Sequence, residues 1–173
     1  MVRNTRILYS YLFAMALVFA ACKDEESLTV EQALVGTWTI SQANIEMSVG
    51  ALSLSDYLVN ELDFTPAEAS ALVSSIETEL LTELSGSITF NSDDTYTSNI
   101  GGNPDSGTWD YSAFYEVILL DPGTSDAFEL SILSIAKSNL VINLLQLLKR
   151  DLDDDGSTPD TSILVTATIQ LTK

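Results

Sequence analysis

Near its C-terminus the chain alternates without a break. Ile163, Val165, Ala167, Ile169 and Leu171 fall on one side, and Leu164, Thr166, Thr168, Gln170 and Thr172 on the other. A period of two marks a strand with one buried face. The same period sets Trp38 and Ile40 against Thr37 and Thr39, so a first strand is expected over 34–40. After Gly86 the pattern predicts further strands over 87–91, 95–100, 108–112, 115–121, 127–135, 139–148 and 162–172. The connections are Asn91-Ser92-Asp93-Asp94, a loop over 101–107, Asp121-Pro122-Gly123 and Lys137-Ser138-Asn139, all rich in turn formers. About eight strands at short spacing favour an antiparallel barrel or sandwich over a parallel α/β fold.

The period changes between the first and second strands. Leu54, Leu58 and Leu62 recur every four residues, which suggests a short amphipathic helix. Thr65-Pro66-Ala67-Glu68 then starts a second helix: a capping threonine, proline at the first helical position, and glutamate three residues after the cap. Ala69, Leu72, Val73, Ile76, Leu80 and Leu84 continue it at spacings of three and four, over about 66–84, until Gly86. Thr29 and Gln32 have the spacing of another capping box, predicting one helical turn that leads to Leu34. The mainly β domain therefore carries a helical insertion, about 54–84, between strands one and two. In a barrel it would cover the mouth or pack outside the wall.

The start of the chain is of another kind. Arg3 and Arg6 precede an apolar run over 7–21 that is interrupted by Tyr9, Ser10 and Tyr11, as in a secretory signal rather than a permanent span. The run ends in Phe19-Ala20-Ala21-Cys22, which resembles the lipobox of bacterial lipoproteins, with Phe19 where leucine is preferred. The resemblance implies cleavage before Cys22 and diacylation of its thiol. The bland alternative is an ordinary signal peptide with an incidental cysteine. The expected organisation is a signal peptide over 1–21, an acidic tether over 22–28 and one domain over 29–173. Lys23, Asp24, Glu25 and Glu26 read either as a solvated spacer or as a lipoprotein export signal, which they resemble, directing the protein to the outer face of a Gram-negative outer membrane.

Composition narrows the partners. The 173 residues hold 25 acidic and 7 basic side chains, and loss of Arg3 and Arg6 takes the net charge from −18 to about −20. Such a surface repels phosphate backbones and anionic lipid headgroups, which argues against nucleic acid and against an electrostatic membrane contact. Two acyl chains, at about 0.8 kcal/mol per buried methylene, would anchor it without a transmembrane helix. Cys22 is the only cysteine, so no disulfide supports the domain.

On the first strand, Gly36-Thr37-Trp38 resembles the Gly-x-Trp signature of lipocalins, whose tryptophan plugs the closed end of an eight-stranded up-and-down barrel. The wider layout is similar to the lipocalin-like lipoproteins of Gram-negative bacteria: Leu34 to Trp38, then Ile88-Thr89-Phe90 with an Asn/Asp turn and Thr95-Tyr96, a second Gly107-Thr108-Trp109, and a threonine-rich last strand ending at Lys173. The resemblance covers roughly 28–48 and 86–173. It implies a lipocalin-like barrel with Gly36, Trp38, Gly107 and Trp109 structuring its base. It also implies an arginine near the end of the last strand, stacked over the tryptophan; 162–172 contains none, which argues against a deep calyx. For both tryptophans ordinary core packing of a large aromatic on a strand is favoured over ligand contact.

Candidate chemistry is sparse. Asp151, Asp153 and Asp155 followed by Gly156 match the first half of a calcium loop, but position 12 is Ser162 instead of a bidentate glutamate. A solvated acidic hairpin tip is the favoured reading, with weak calcium binding as the alternative. There is no histidine, which with the single cysteine excludes the common nucleophile–base pairs and His-containing zinc sites. Gly101-Gly102 lacks the lysine and following helix of a phosphate loop, and Lys137 with Ser134 or Ser138 is no more than a coincidence of spacing. The sequence thus predicts a non-enzymatic, lipid-anchored envelope protein without cofactor. It would bind a small lipophilic ligand in the barrel or, alternatively, contact an envelope partner through the helical insertion.

Overall fold

The computed structural model describes residues 28–152 and 161–173. Cys22, Lys23, Asp24, Glu25 and Glu26 lie outside the described residues, as do Asp153 and Asp155 of the acidic run. The chain opens with a short helix, α1 (Val30–Leu34), whose Thr29 and Gln32 form the expected reciprocal capping box. Strand β1 (Gly36–Val49) follows, then the two-residue β2 (Leu52–Ser53), helix α2 (Leu54–Glu61) and helix α3 (Pro66–Glu83). Seven strands complete the chain: β3 (Gly86–Phe90), β4 (Thr95–Ile100), β5 (Asn103–Ser112), β6 (Val117–Leu120), β7 (Phe128–Ile135), β8 (Asn139–Arg150) and β9 (Thr161–Thr172).

Every strand from β3 onward pairs antiparallel with the next, and β9 returns to pair with β1 from Thr39↔Thr172 to Ser48↔Leu164. The sheet closes on itself as an eight-stranded, up-and-down, lipocalin-like barrel, with β2 a spur on β1. Antiparallel alternation sorts the connections to two ends. The base carries α1, the turns at 91–94, 113–116 and 136–138, and Lys173. The mouth carries the helical insertion, the Gly101-Gly102 turn and the loop at 121–127.

Strands β1, β8 and β9 are longer than their neighbours. Beyond Thr39, β1 has no β3 partner, and beyond Asn143, β8 has no register with β7. The three form a projecting sheet at the mouth, and the insertion covers its inner face. Leu54 and Leu58 of α2 and Ala69 and Ile76 of α3 are buried in the same core as Ile45, Ile163 and Val165. Arg150 of β8 also bonds Glu79 of α3 across 2.6 Å, a surface contact worth under about 1 kcal/mol. Capping at Thr65, with Pro66 at the first turn, starts α3 where the residue pattern predicts.

Two expectations need correction. The first strand runs to Val49, well past residue 40. A bulge between Ile40 and Gln42 shifts the phase, so Ile40 and Ala43 sit three apart yet both pack on the core, and the alternation Ala43, Ile45, Met47 is masked in the sequence. The expected loop over 101–107 is a two-residue turn followed by strand. Pro104 is tolerated in it because β6 pairs only with 109–112 of β5, leaving that side of residues 103–107 open.

The alternation of β9 is realised: Ile163, Val165, Ala167, Ile169 and Leu171 are all buried, and Leu164 is 39% exposed. Ile163→Ala is therefore expected to destabilise the protein by about 2–5 kcal/mol. Leu164→Ala, one residue away on the outer face, is expected to change stability by no more than about 0.5 kcal/mol. Urea denaturation of the two variants distinguishes the inner face from the outer.

Candidate functional site

The base of the barrel is closed by Trp38, which is fully buried and donates its indole N–H to the carbonyl of Leu34 at 2.6 Å. That bond joins β1 to the end of α1. The place at the end of the last strand where an arginine was expected is taken one residue later by Lys173. Its Nζ lies 4.4 Å from the Trp38 ring centroid and donates to the carbonyls of Ala33 and Val35, the latter at 2.7 Å. An ammonium over an indole face is held by the ring quadrupole, and here it also satisfies two carbonyls at the end of α1. Burial holds the Lys173 pKa below the usual ammonium value. Gly36 leaves room for this side chain, since a Cβ there would stand 3.0 Å from Lys173 Cε.

The second Gly-Thr-Trp has a parallel construction. Trp109 donates its indole N–H to the carbonyl of Asn91 at 3.1 Å and packs on Phe90 with ring centroids 5.1 Å apart. Gly107 makes room for Asp121, because a Cβ would stand 2.0 Å from its Oδ1. Asp121 extends the β5–β6 ladder beyond β6: its backbone N–H donates to Thr108 O at 2.8 Å, and its Oδ1 accepts from Thr108 N at 3.0 Å. Its Oδ2 and Asp105 Oδ2 stand 2.9 and 2.8 Å from the Tyr96 hydroxyl, which shares one proton between two carboxylates. In the sequence Tyr96 stands out only as part of the family-like layout and Asp121 only as a turn former, and nothing there joins them to Asp105; the second Gly-Thr-Trp was the available signal. The group closes the wall where β6 ends.

Above the buried aromatics lies an apolar cavity of about 180 Å³. Its walls are aliphatic apart from Phe128; Ile40, Ile88, Leu130, Ile142, Ile169 and Leu171 contribute from five strands. Leu84, just past α3, and Leu144 of β8 border it toward the mouth. The same two leucines border a smaller void of about 40 Å³ between the end of α3 and the sheet β1–β9–β8. Asp151 of the acidic run lies just beyond β8. Among the described residues no cluster of three or more His, Cys, Asp or Glu side chains is placed to hold a metal ion.

Fold and site together define a closed antiparallel barrel with a sealed base and an apolar interior cavity. No protein-family model, curated protein sequence or solved structure matches the chain.

Two outcomes follow for the base and the wall. Burial, then the bonds to Asp105 and Asp121, raise the Tyr96 pKa far above its ordinary value. Above pH about 10 the unfolded chain releases this proton while the folded chain retains it, so stability falls with rising pH, by at most about 1.4 kcal/mol per unit from this group. Urea denaturation followed from about pH 9 to about pH 11, roughly one unit either side of tyrosine's ordinary value, is expected to show a shallower decline for Tyr96→Phe than for the parent. Lys173→Met keeps the apolar stem but loses both carbonyl bonds; it is expected to cost about 1 kcal/mol at neutral pH, read as a lower urea midpoint.

Proposed function

We propose that this protein is a lipid-anchored envelope lipoprotein, related in build to the lipocalin-like lipoproteins, whose barrel binds a small lipophilic molecule. The cavity is the observation that carries the reading. Its volume of about 180 Å³ is somewhat larger than the ~150 Å³ apolar cavity that stays dry and admits benzene or xenon. A ligand of aromatic-ring size, or the end of an acyl chain, would bury its apolar surface there, at about 25 cal/mol per Å² removed from water. With no polar group on the wall, recognition is by shape and hydrophobicity, and any polar end of the ligand faces the mouth.

The anchor is Cys22, acylated after cleavage of 1–21, with Lys23, Asp24, Glu25 and Glu26 directing outward display on the outer membrane. Among the described residues no helix is long and apolar enough to cross a membrane. The insertion is a poorer candidate for the binding surface, because Leu54, Leu58, Ala69 and Ile76 are buried against the barrel and Leu81, at 37%, is its most exposed large apolar side chain. No catalytic role is proposed.

Native mass spectrometry and titration with a fluorescent naphthylamine probe test the reading. The full chain is expected to bind one probe. Leu120→Phe and, separately, Leu144→Phe put added volume into the cavity from half-buried positions and are expected to weaken binding at least about tenfold, the effect of roughly 1.4 kcal/mol. Equal binding by the parent and both variants would place the probe elsewhere and remove the ligand-carrier reading.

A further inference from the structure

The turn between β5 and β6 exposes aromatic surface that no internal contact accounts for. Phe114 is 85% exposed and Tyr115 72%, whereas Trp38, Phe90, Tyr96 and Trp109 are all buried. The two rings pack edge to face at 4.8 Å and 89°, and Glu116 in the left-handed region, at φ 54°, fixes the turn. The tip is thus a shaped apolar projection, and one member ends in a hydroxyl.

Its position gives it a partner. The turn at 113–116 lies at the base, the end from which the domain's N-terminal side emerges. Glu31 of α1 lines one surface depression with Asp94, Trp109, Asp110 and Tyr111, which puts α1 beside the strand that leads into the turn. Leu28, 57% exposed, precedes α1. Five residues separate it from Cys22, and the six residue-to-residue steps of fully extended chain reach about 20 Å at most. A bilayer that held Cys22 would therefore lie against the base, within reach of the aromatic tip.

We propose that Phe114 and Tyr115 form a second, apolar membrane contact, seated at the headgroup–acyl boundary of a zwitterionic phospholipid surface. The inference rests on the acylation of Cys22 proposed above. Aromatic rings suit that boundary, and tyrosine places its ring in the apolar layer with its hydroxyl among the headgroups. Charge selects the lipid. Glu31, Asp93, Asp94, Asp110 and Glu116 share this end with Lys137 and Lys173, an acidic balance that disfavours anionic headgroups. Two contacts, one covalent and one aromatic, fix the barrel's orientation with its mouth away from the membrane.

The test uses the full chain, matured in Gram-negative cells and reconstituted into phosphatidylcholine vesicles brominated either near the headgroup or deep in the acyl chain. Mass spectrometry of the purified protein first reads the acylation of Cys22. In Phe114→Trp the new fluorophore is expected to lose most of its emission to the shallow bromines and less to the deep ones, as an insertion of about 5–10 Å requires. The fluorophore of Leu147→Trp, exposed at the mouth end, is expected to be unaffected, and an excess of phosphatidylglycerol is expected to weaken the quenching at position 114. An acylated chain whose indole at position 114 is no more quenched than one at position 147 overturns the tip contact alone. A blue-shifted emission from Phe114→Trp without bromine quenching, in a chain that elutes as a dimer, assigns the tip to a second copy and overturns it too. A chain with unmodified Cys22 overturns the anchor and this inference with it.

Discussion

The structure depends on one long-range constraint: the first strand and the last must meet. β9 pairs with β8 along its whole length and with β1 over nine rungs from Thr39↔Thr172 to Ser48↔Leu164, so a single strand supplies the seam that turns an open meander into a barrel. Closure leaves no continuous free edge around the lower barrel, which a sheet without a disulfide needs if it is not to pair with neighbours. It also requires contacts more than a hundred residues apart in sequence, the kind that form late because the intervening chain must first be ordered. The clean alternation of β9 suits that task. The inward side chains from Val165 to Leu171 lie between two paired neighbours, Ile163 sits one residue beyond the β1 register opposite Leu148 of β8, and a slip of one residue would turn all five outward.

Closure is reinforced at the base. Lys173 extends β9 past its last rung and bridges to Ala33 and Val35, while Trp38 reaches back to Leu34, so α1, the start of β1 and the end of β9 are tied through one ring and one ammonium. The second Gly-Thr-Trp solves a related problem in the wall. There a glycine admits the side chain of Asp121, which carries the ladder past the end of β6. At Gly107 the glycine is needed for the space it leaves to a charged side chain arriving from elsewhere in the chain; Gly36 borders Lys173 in a similar way but is required first by its backbone, at φ 130°, and in both places the tryptophan satisfies its N–H on a nearby carbonyl.

Much of this was legible in the sequence, for identifiable reasons. β9 and α3 declare themselves because a period of two, or a cap followed by spacings of three and four, is a local signal that the fold does not override. The second half of β1 was hidden because a bulge adds one residue and reverses the phase, so Ile40 and Ala43 break the count. The strand at 103–107 was hidden because its proline, glycine and aspartate resemble a loop unless one knows that one side of it is unpaired. Gly36, Trp38, Gly107 and Trp109 were legible as a motif, yet the substitution of Lys173 for an arginine was not, since it depends on where the strand ends in space. Tyr96 with Asp105 and Asp121 was illegible altogether: three residues join across two hairpins, and none is unusual alone.

The cavity illustrates the same limit and has a physical origin. Inward residues read alike whether they meet or leave a gap, so only their placement decides. Here the large buried rings are segregated: Trp38, Phe90, Tyr96 and Trp109 all stand in the base half, where they fill the cross-section, and the half toward the mouth is walled by isoleucine and leucine, with the partly exposed Phe128 as the one ring. An eight-stranded barrel has an interior just wide enough to be filled by side chains or to hold one small ligand. Branched aliphatic residues reach less far across it than indole or phenyl rings, so the gap opens where the aromatics stop. The insertion then sets the upper boundary through Leu84, which borders both the cavity and the smaller void beneath α3. The volume is fixed jointly by the aromatic plug below and by where one helix ends above, two features that share no sequence neighbourhood and are brought together only by closure of β1 on β9.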